Sequence, residues 1–306
     1  MIKKISNNKL AIAFAVLLIF AALMIFTDIG KSEKTFKTNI VNIDTAKVNK
    51  ILLYPQSQNH KEVQIWKDKT HWRVKLKSGK EATVPETKVK NILSVLNSIK
   101  STRLAANDDK MWHEFQVDTA GTQVKVFENG KQALDLIVGK FSFQQPRSVS
   151  TYVRLADDKN VYAVDGFLTM TFNQGPNSFR NETIVNSTPS DWNKISINYT
   201  SGDSSFSIMK KNNKWYADNI KIDSAKSSRY AQTLSHVSSS NYVDQPNEVT
   251  PFAVITIETA KGNIIVNAYG DPQSPVIASS ENTQSYFDGK KSSLYSRIFV
   301  STNKLK

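Results

Sequence analysis

Hydrophobic positions follow three different spacings along this chain. The first is an unbroken apolar run from Leu10 to Phe26, marked along its length by Leu10, Phe14, Leu17, Phe20, Leu23 and Phe26. At ~1.5 Å per helical residue it spans ~25 Å, a little short of a ~30 Å hydrocarbon core. Asn8, Thr27 and Ile29 extend the helix into the interface, which predicts a membrane anchor over residues 10–29. A cleaved signal peptide is the rival reading, but Thr27-Asp28-Ile29-Gly30 offers no small-x-small cut site. A buried soluble helix is the third. Lys3, Lys4 and Lys9 precede the run, and Lys31, Lys34 and Lys37 follow it. The positive-inside rule then predicts a cytoplasmic tail at 1–9 and a translocated body. No second run approaches spanning length.

The other two spacings alternate, and they do so twice. "VNKILLY" (48–54) and "WNKISIN" (192–198) share Asn-Lys-Ile with apolar residues at every second position. Each is followed by a polar turn, a tryptophan (Trp72, Trp215) and further alternation. Helical spacing comes next. Val89, Ile92, Leu93, Leu96 and Ile99 recur at i, i+3, i+4, i+7 and i+10, and Tyr230, Leu234 and Val237 do so more weakly. "VPET" and "DSAK" are the helix-start signals. Period two then returns. "TQVKVFENGKQALDLIVGK" (122–140) reads as a hairpin about Asn-Gly, with "AVITIETAKGNIIVNAYGD" (253–271) as its counterpart, pairing Gly139 with Gly270. "STYVRLADDKNVYAVDG" (150–166) reads as a second hairpin, and "SPVIASSENTQSYFDG" (274–289) as its shorter copy.

These patterns predict an α+β chain with an N-terminal transmembrane helix and two tandem repeats. Each repeat is a mostly antiparallel sheet with one main helix, in the order β-β-β-α-β-β-β-β. The repeats occupy residues 30–182 and 183–306, joined near "FRNETIVNSTPSDW" (179–192), which carries turn formers and few apolar residues. "MWHEFQVD" (111–118) has no clear counterpart in the second copy. Trp72 and Trp215 read as core aromatics on equivalent strands.

The formal charge of +13 adds a basic surface to this picture. Nucleic-acid binders gather such charge into a stripe beside a motif. Here the lysines are scattered among Asn, Ser and Asp, which points away from nucleic acid and leaves a solvated surface or attraction to anionic lipid or cell-wall polymer. The chain has no cysteine, so disulfides, thiolate catalysis and zinc–thiolate sites are excluded.

Catalytic motifs are not found. His60, His71, His113 and His236 never fall at metal-binding spacing, and His113 and Glu114 are adjacent and diverge on a helix or a strand. Asp108-Asp109 and Asp157-Asp158 sit between periodic segments, where Asp favours turns. No nucleophile elbow, phosphate loop or dinucleotide fingerprint is present. The "HVSSSN" serines (236–241) read as a loop after the second helix. Asn181, Asn186 and Asn198 begin glycosylation triplets, which an asparagine-rich chain produces by chance. The expected catalytic, metal and cofactor residues are therefore none.

The order of these blocks resembles the bacterial domain of unknown function 4340 family. The blocks are the N-terminal apolar segment, "NIDTAKVNKILL", "HWRVK", "ETKVKNILSVLNSIKSTRLA", "KMWHEFQVDTAGTQVKVFENGKQALDLIVGKF", "TYVRLADDKNVYAVDGFLTMTF" and "FRNETI". They cover most of the first repeat and, more faintly, the second. The resemblance implies a membrane segment with one or more such repeats, placed at the bacterial inner membrane with the bulk periplasmic. It also implies a genetic neighbourhood with a gliding-motility-type ABC transporter and its companion extracytoplasmic subunit, and it offers no catalytic residues. The resulting expectation is a non-catalytic accessory or scaffold protein, with Trp112, Phe115, Arg154 and Arg180 as candidate partner contacts. A binder of envelope polymer or lipid is the alternative, and an enzyme assembled from distant acids or histidines the third reading.

Overall fold

The structure, a computed structural model, describes residues 14, 16–19, 37–144, 148–200, 205–211, 214–218 and 220–305. The expected anchor falls largely outside them. Leu10, Phe20, Leu23 and Phe26 are not described, while Phe14 and Leu17 are helical and exposed. Among the described residues no helix is long and apolar enough to cross a membrane.

The body is α+β, with two large antiparallel sheets and few helices. In the first half, β1 (Val48–Tyr54), β2 (Val63–Asp68), β3 (His71–Lys75) and β4 (Glu81–Val84) precede helix α1 (Glu86–Ser98). Then come β5 (Ser101–Ala106), the short helix α2 (Trp112–Phe115), β6 (Thr122–Glu128), β7 (Lys131–Gln144), β8 (Ser148–Leu155), β9 (Val161–Asp165) and α3 (Leu168–Phe172). The nine strands are ordered β4-β3-β2-β1-β6-β7-β8-β9-β5. Alternation along β1 buries Ile51 and Leu53 beside Val126 and Val124 of β6. The helical spacing buries Val89, Ile92, Leu93 and Leu96 in the same core. Each such side chain contributes ~1.5–3 kcal/mol when fully buried.

A short strand, β10 (Thr183–Asn186), leads into the second half. There β11 (Trp192–Tyr199), β12 (Phe206–Lys211), β13 (Lys214–Ala217), β14 (Ile220–Lys221), α4 (Ser224–Ser235), β15 (His236–Ser238), β16 (Tyr242–Val243), β17 (Ala253–Thr259), β18 (Gly262–Tyr269), β19 (Val276–Ser279), β20 (Asn282–Asp288) and α5 (Leu294–Ile298) follow. The sheet order β14-β13-β12-β11-β17-β18-β19-β20-β16 repeats the first strand for strand, which fits a tandem repeat. The register agrees: Lys67 faces Trp72 where Lys210 faces Trp215. Both tryptophans are buried, as expected, and Trp215 Nε1 donates to Ser228 Oγ at 3.0 Å. Helix α4 buries Ser227, Tyr230, Ala231 and Leu234 at the spacing used by α1. Asp223 caps α4 by accepting from the amides of Ala225 and Lys226, whereas Pro85 precedes α1 with no side-chain cap.

Several expectations change. Each sheet has extra edge strands, β4 and β5 in the first and β14 and β16 in the second; β14 and β16 are too short to show a period, and β5, Ser-Thr-Arg-Leu-Ala-Ala, does not alternate. Val237 belongs to β15, not to the helix, and part of "HVSSSN" is therefore strand. Its partner is β10, inside the segment expected to be a polar join, where Ile184 and Val185 are fully buried. The Asn39–Lys100 bridge holds the corresponding place in the first half. The Gly139–Gly270 pairing also shifts. Val126 faces Leu134 but Phe127 faces Gln132, so Ala133 bulges out of β7, and β18 has no such bulge. Gly139 thus occupies the place of Tyr269. The Asn129-Gly130 turn has φ of 49° and 83°, as a tight two-residue hairpin requires.

Candidate functional site

The two halves meet along a line of side-chain contacts that the sequence does not advertise. Gln284 of β20 reaches the edge strand β4, where its Oε1 accepts from the Thr83 amide at 3.0 Å and the Thr83 hydroxyl at 2.7 Å. Lys88 of α1 donates to Glu182 Oε1 at 2.6 Å and to the Ser178 carbonyl at 2.7 Å. The Tyr242 hydroxyl and the Asn282 amide both donate to the Asn181 carbonyl. The connection at residues 176–183 is thereby held between the halves.

A cleft of about 650 Å³ opens at this junction. Amide and hydroxyl side chains dominate its wall, among them Gln58, Asn173, Gln174, Gln245 and Gln284, with Lys77, Lys80, Glu81 and Asp244 as mixed-sign charges. Arg180 forms its floor. Its side chain is 7% exposed, its guanidinium lies 3.8 Å above the Tyr242 ring, and Nη2 donates to Ser285 Oγ at 3.1 Å. Burial lowers the pKa of Arg180, and burial with the nearby Glu182 raises that of Tyr242. Among the described residues, two buried side-chain polar atoms have no hydrogen-bond partner, Arg180 Nε and Gln58 Oε1. Both residues line this cleft. A buried polar atom left unpaired costs ~1–3 kcal/mol.

A second cavity, about 670 Å³, lies on the first half and is lined by Tyr54, His60, Trp112, Asp118, Gln123, Ile137 and Arg154. Arg154 is 5% exposed and tied down. Its Nε donates to the Val117 carbonyl, and Nη1 to those of Leu155, Ala156 and Asp158, at 3.0–3.2 Å. The guanidinium lies 3.7 Å above the Trp112 ring, and Trp112 Nε1 donates to the Lys159 carbonyl at 3.0 Å. Phe115 is buried against Tyr152, their ring centroids 4.5 Å apart.

The four candidate contact residues therefore fall at two places rather than one. Trp112, Phe115 and Arg154 cluster in the first half, and Arg180 sits at the junction. Phe115, Arg154 and Arg180 are buried within the chain, which leaves them little surface for a partner. The Arg154 guanidinium serves backbone carbonyls and the Trp112 ring, and that of Arg180 serves Ser285 and the Tyr242 ring. Gln58, Tyr242 and Gln284 escaped sequence reasoning, since single polar residues on strands and turns carry no spacing signal. His113 is exposed on α2 and contacts Asp118 Oδ2 at 3.0 Å. No group of three or more His, Asp or Glu is poised to hold a metal among the described residues.

No curated protein matches the chain, and no solved structure matches it. The family model described as "Domain of unknown function (DUF4340)" matches residues 72–253, from β3 across the junction to β17. That is more than half of the chain, and the chain belongs to the DUF4340 family.

Proposed function

We propose that this chain is a non-catalytic accessory or scaffold protein that binds protein partners outside the cytoplasm of a bacterial cell. In this reading residues 10–29 anchor it once in the inner membrane, the tail at 1–9 is cytoplasmic, and repeats at 30–182 and 183–306 form the periplasmic body. The partners are the permease and ATPase of an ABC-type transporter, or its companion extracytoplasmic subunit, in a gliding-motility-like envelope complex. No small-molecule cofactor enters the reading.

The observation that carries the binding role is the junction cleft, where Arg180 Nε and Gln58 Oε1 are buried and unpaired amid neutral amides. An extended segment of a partner chain offers alternating N–H and C=O groups to the amide side chains that line the cleft. Anchoring confines the body beside its partner and raises the effective concentration of the cleft.

Tagged full-length protein pulled from native membranes in mild detergent tests this. Co-purification of a permease and ATPase in near-stoichiometric amounts, retained at high salt, supports the reading. A second reading, binding of envelope polymer or lipid through the basic surface, rests on the net charge of +13. It predicts association that salt removes, since screening falls to ~8 Å at physiological ionic strength.

A further inference from the structure

The hairpin of β7 and β8 carries an aromatic cluster that the junction cleft does not use. Phe141 and Phe143 lie two residues apart on β7 and share a face. Phe167, just beyond β9, completes a triangle with them, with ring centroids 5.5, 5.3 and 5.7 Å apart. These rings stay in solvent: Phe143 is 71% exposed, Phe141 44% and Phe167 37%. Met170, 71% exposed, follows Phe167 on the next helical turn. Beyond position 36, the other exposed large hydrophobics among the described residues are Ile220, Val249 and Ile265, all in the second half. Contiguous exposed apolar surface of this kind marks an interaction site, whereas isolated residues do not.

The cluster sits at the end of the body where the N-terminal segment attaches. Phe141 faces Thr151, Thr151 faces Val164, and Val164 faces Ser101, forming one row across β7, β8, β9 and β5. The Ser101 amide donates to the Thr38 carbonyl at 2.9 Å, and its hydroxyl to the Lys37 carbonyl at 2.5 Å. Three strand spacings of ~4.8 Å place the attachment within ~15 Å of Phe141 along the row. Phe143 projects further toward the hairpin end, by two residues at ~3.4 Å each. Only residues 27–36 separate Lys37 from the apolar run, a reach of at most ~35 Å. Lys37 and Lys100 are exposed beside the attachment, and Asp165 also lies at this end.

We propose that Phe141, Phe143, Phe167 and Met170 form a membrane-contact patch that rests in the interfacial region of the phospholipid bilayer beside the anchor. Its geometry rests on the anchor reading. Aromatic rings and methionine enter the boundary between headgroups and acyl chains, and flanking lysines suit anionic headgroups. A tether and a patch at the same end hold the body in one orientation on the membrane.

The native chain has no cysteine, so single-cysteine variants of the full-length protein report one position each. Phe143→Cys, Met170→Cys, Val249→Cys and Leu17→Cys are each labelled with an environment-sensitive fluorophore. They are reconstituted into vesicles of phosphatidylethanolamine and phosphatidylglycerol with brominated acyl chains. The expected result is a blue shift and quenching at 143 and 170, with the Val249 label, at a 91% exposed position, unchanged. Two patch positions guard against one variant misfolding. Labels at 143 and 170 that match Val249 overturn the proposal, even if the Leu17 label is quenched and the anchor reading stands. An unquenched Leu17 label defeats the anchor reading separately, and quenching at 143 and 170 then still supports lipid contact by the patch. Labels that stay aqueous in vesicles but become shielded in native membranes assign the patch to a protein partner and overturn the lipid proposal.

Discussion

The guanidinium of Arg154 lies 3.7 Å above the ring of Trp112 and ties the loop carrying α2 to the turn after β8. Among the described residues, the second half has no arginine–tryptophan pair of this kind. By register, Val138 facing Val153 corresponds to Ala268 facing Ile277, so the place of Arg154 is taken by Ala278. The loop carrying Trp112 runs over residues 107–121, whereas its counterpart is shorter, at 244–252. Replacing Arg154 by Met keeps the bulk and strands the carbonyls of Val117, Ala156 and Asp158, while that of Leu155 still accepts from the Asp158 amide. The expected loss is about 3 kcal/mol, read as a lower urea midpoint with an unchanged slope. Trp112→Phe, which keeps a ring under the guanidinium, is expected to lose about 1 kcal/mol by the same measurement.

Gly139 and Gly130 answer differently to alanine. A Cβ on Gly139 would collide with the backbone carbonyls of Phe115 and Gln116, which cannot rotate away. Gly139→Ala is expected to lower stability by about 2–3 kcal/mol, within the range for overpacking. At Gly130 there is open space but a φ of 83°, so only backbone strain remains, about 1 kcal/mol. Thermal midpoints of the two variants, measured side by side, check the ranking.

Alkaline pH is expected to destabilise the fold through its tyrosines. Burial, with a smaller contribution from Tyr295, pushes the Tyr199 phenol up to about 12. Burial and the Glu62 carboxylate do the same at Tyr54, also to about 12. Tyr230, wholly buried and donating to the Ile298 carbonyl at 2.6 Å, is raised further by burial. A tyrosine that ionises near 10 when unfolded and near 12 when folded releases its proton first in the unfolded chain. Stability is therefore fully present below pH ~10 and falls as pH rises toward ~12. Urea midpoints across that interval should decline, and Tyr199→Phe should make the decline shallower.

Gln284 holds the edge of the first sheet from the second. Gln284→Ala removes the acceptor of the Thr83 amide and hydroxyl. Loss of a hydrogen bond worth about 1.4 kcal/mol corresponds to about tenfold faster amide exchange at Thr83. Amides in the interior of β1 should be unchanged. Uniform acceleration across the first sheet would mean the contact supports the fold rather than the junction.

Sheet and helix are legible in the sequence wherever a run is long enough to show its period. The Asn129-Gly130 hairpin, the paired tryptophans and the α1 stripe from Val89 to Leu96 all stand out from spacing alone. Strands as short as β14 and β16 do not, because two residues cannot alternate. The β10 strand is hidden for a related reason: Ile184 and Val185 are flanked by turn formers, and only pairing with β15 makes them a strand. Ala133 shifts the expected glycine pairing because a bulge inserts a residue without changing composition. The site is less legible still. Arginines 154 and 180 stand out as charges on strand and turn segments, but which way they point depends on rings and carbonyls distant in sequence. Phe141 and Phe143 do leave a signal, an apolar alternation that continues past the point where the hairpin needs it for its core.

The shortened loop in the second half has a further consequence. Duplication ordinarily yields a bivalent object, with two equivalent faces for two copies of the same ligand. Among the described residues, the arrangement of Trp112 and Arg154 and the exposed phenylalanine cluster lie in the first half alone, and the groove between the halves belongs to neither copy. The two halves are thus unequal despite the doubled architecture. Under the proposed accessory role, a complex assembled on it would acquire a fixed order of neighbours, with one of each partner for every chain.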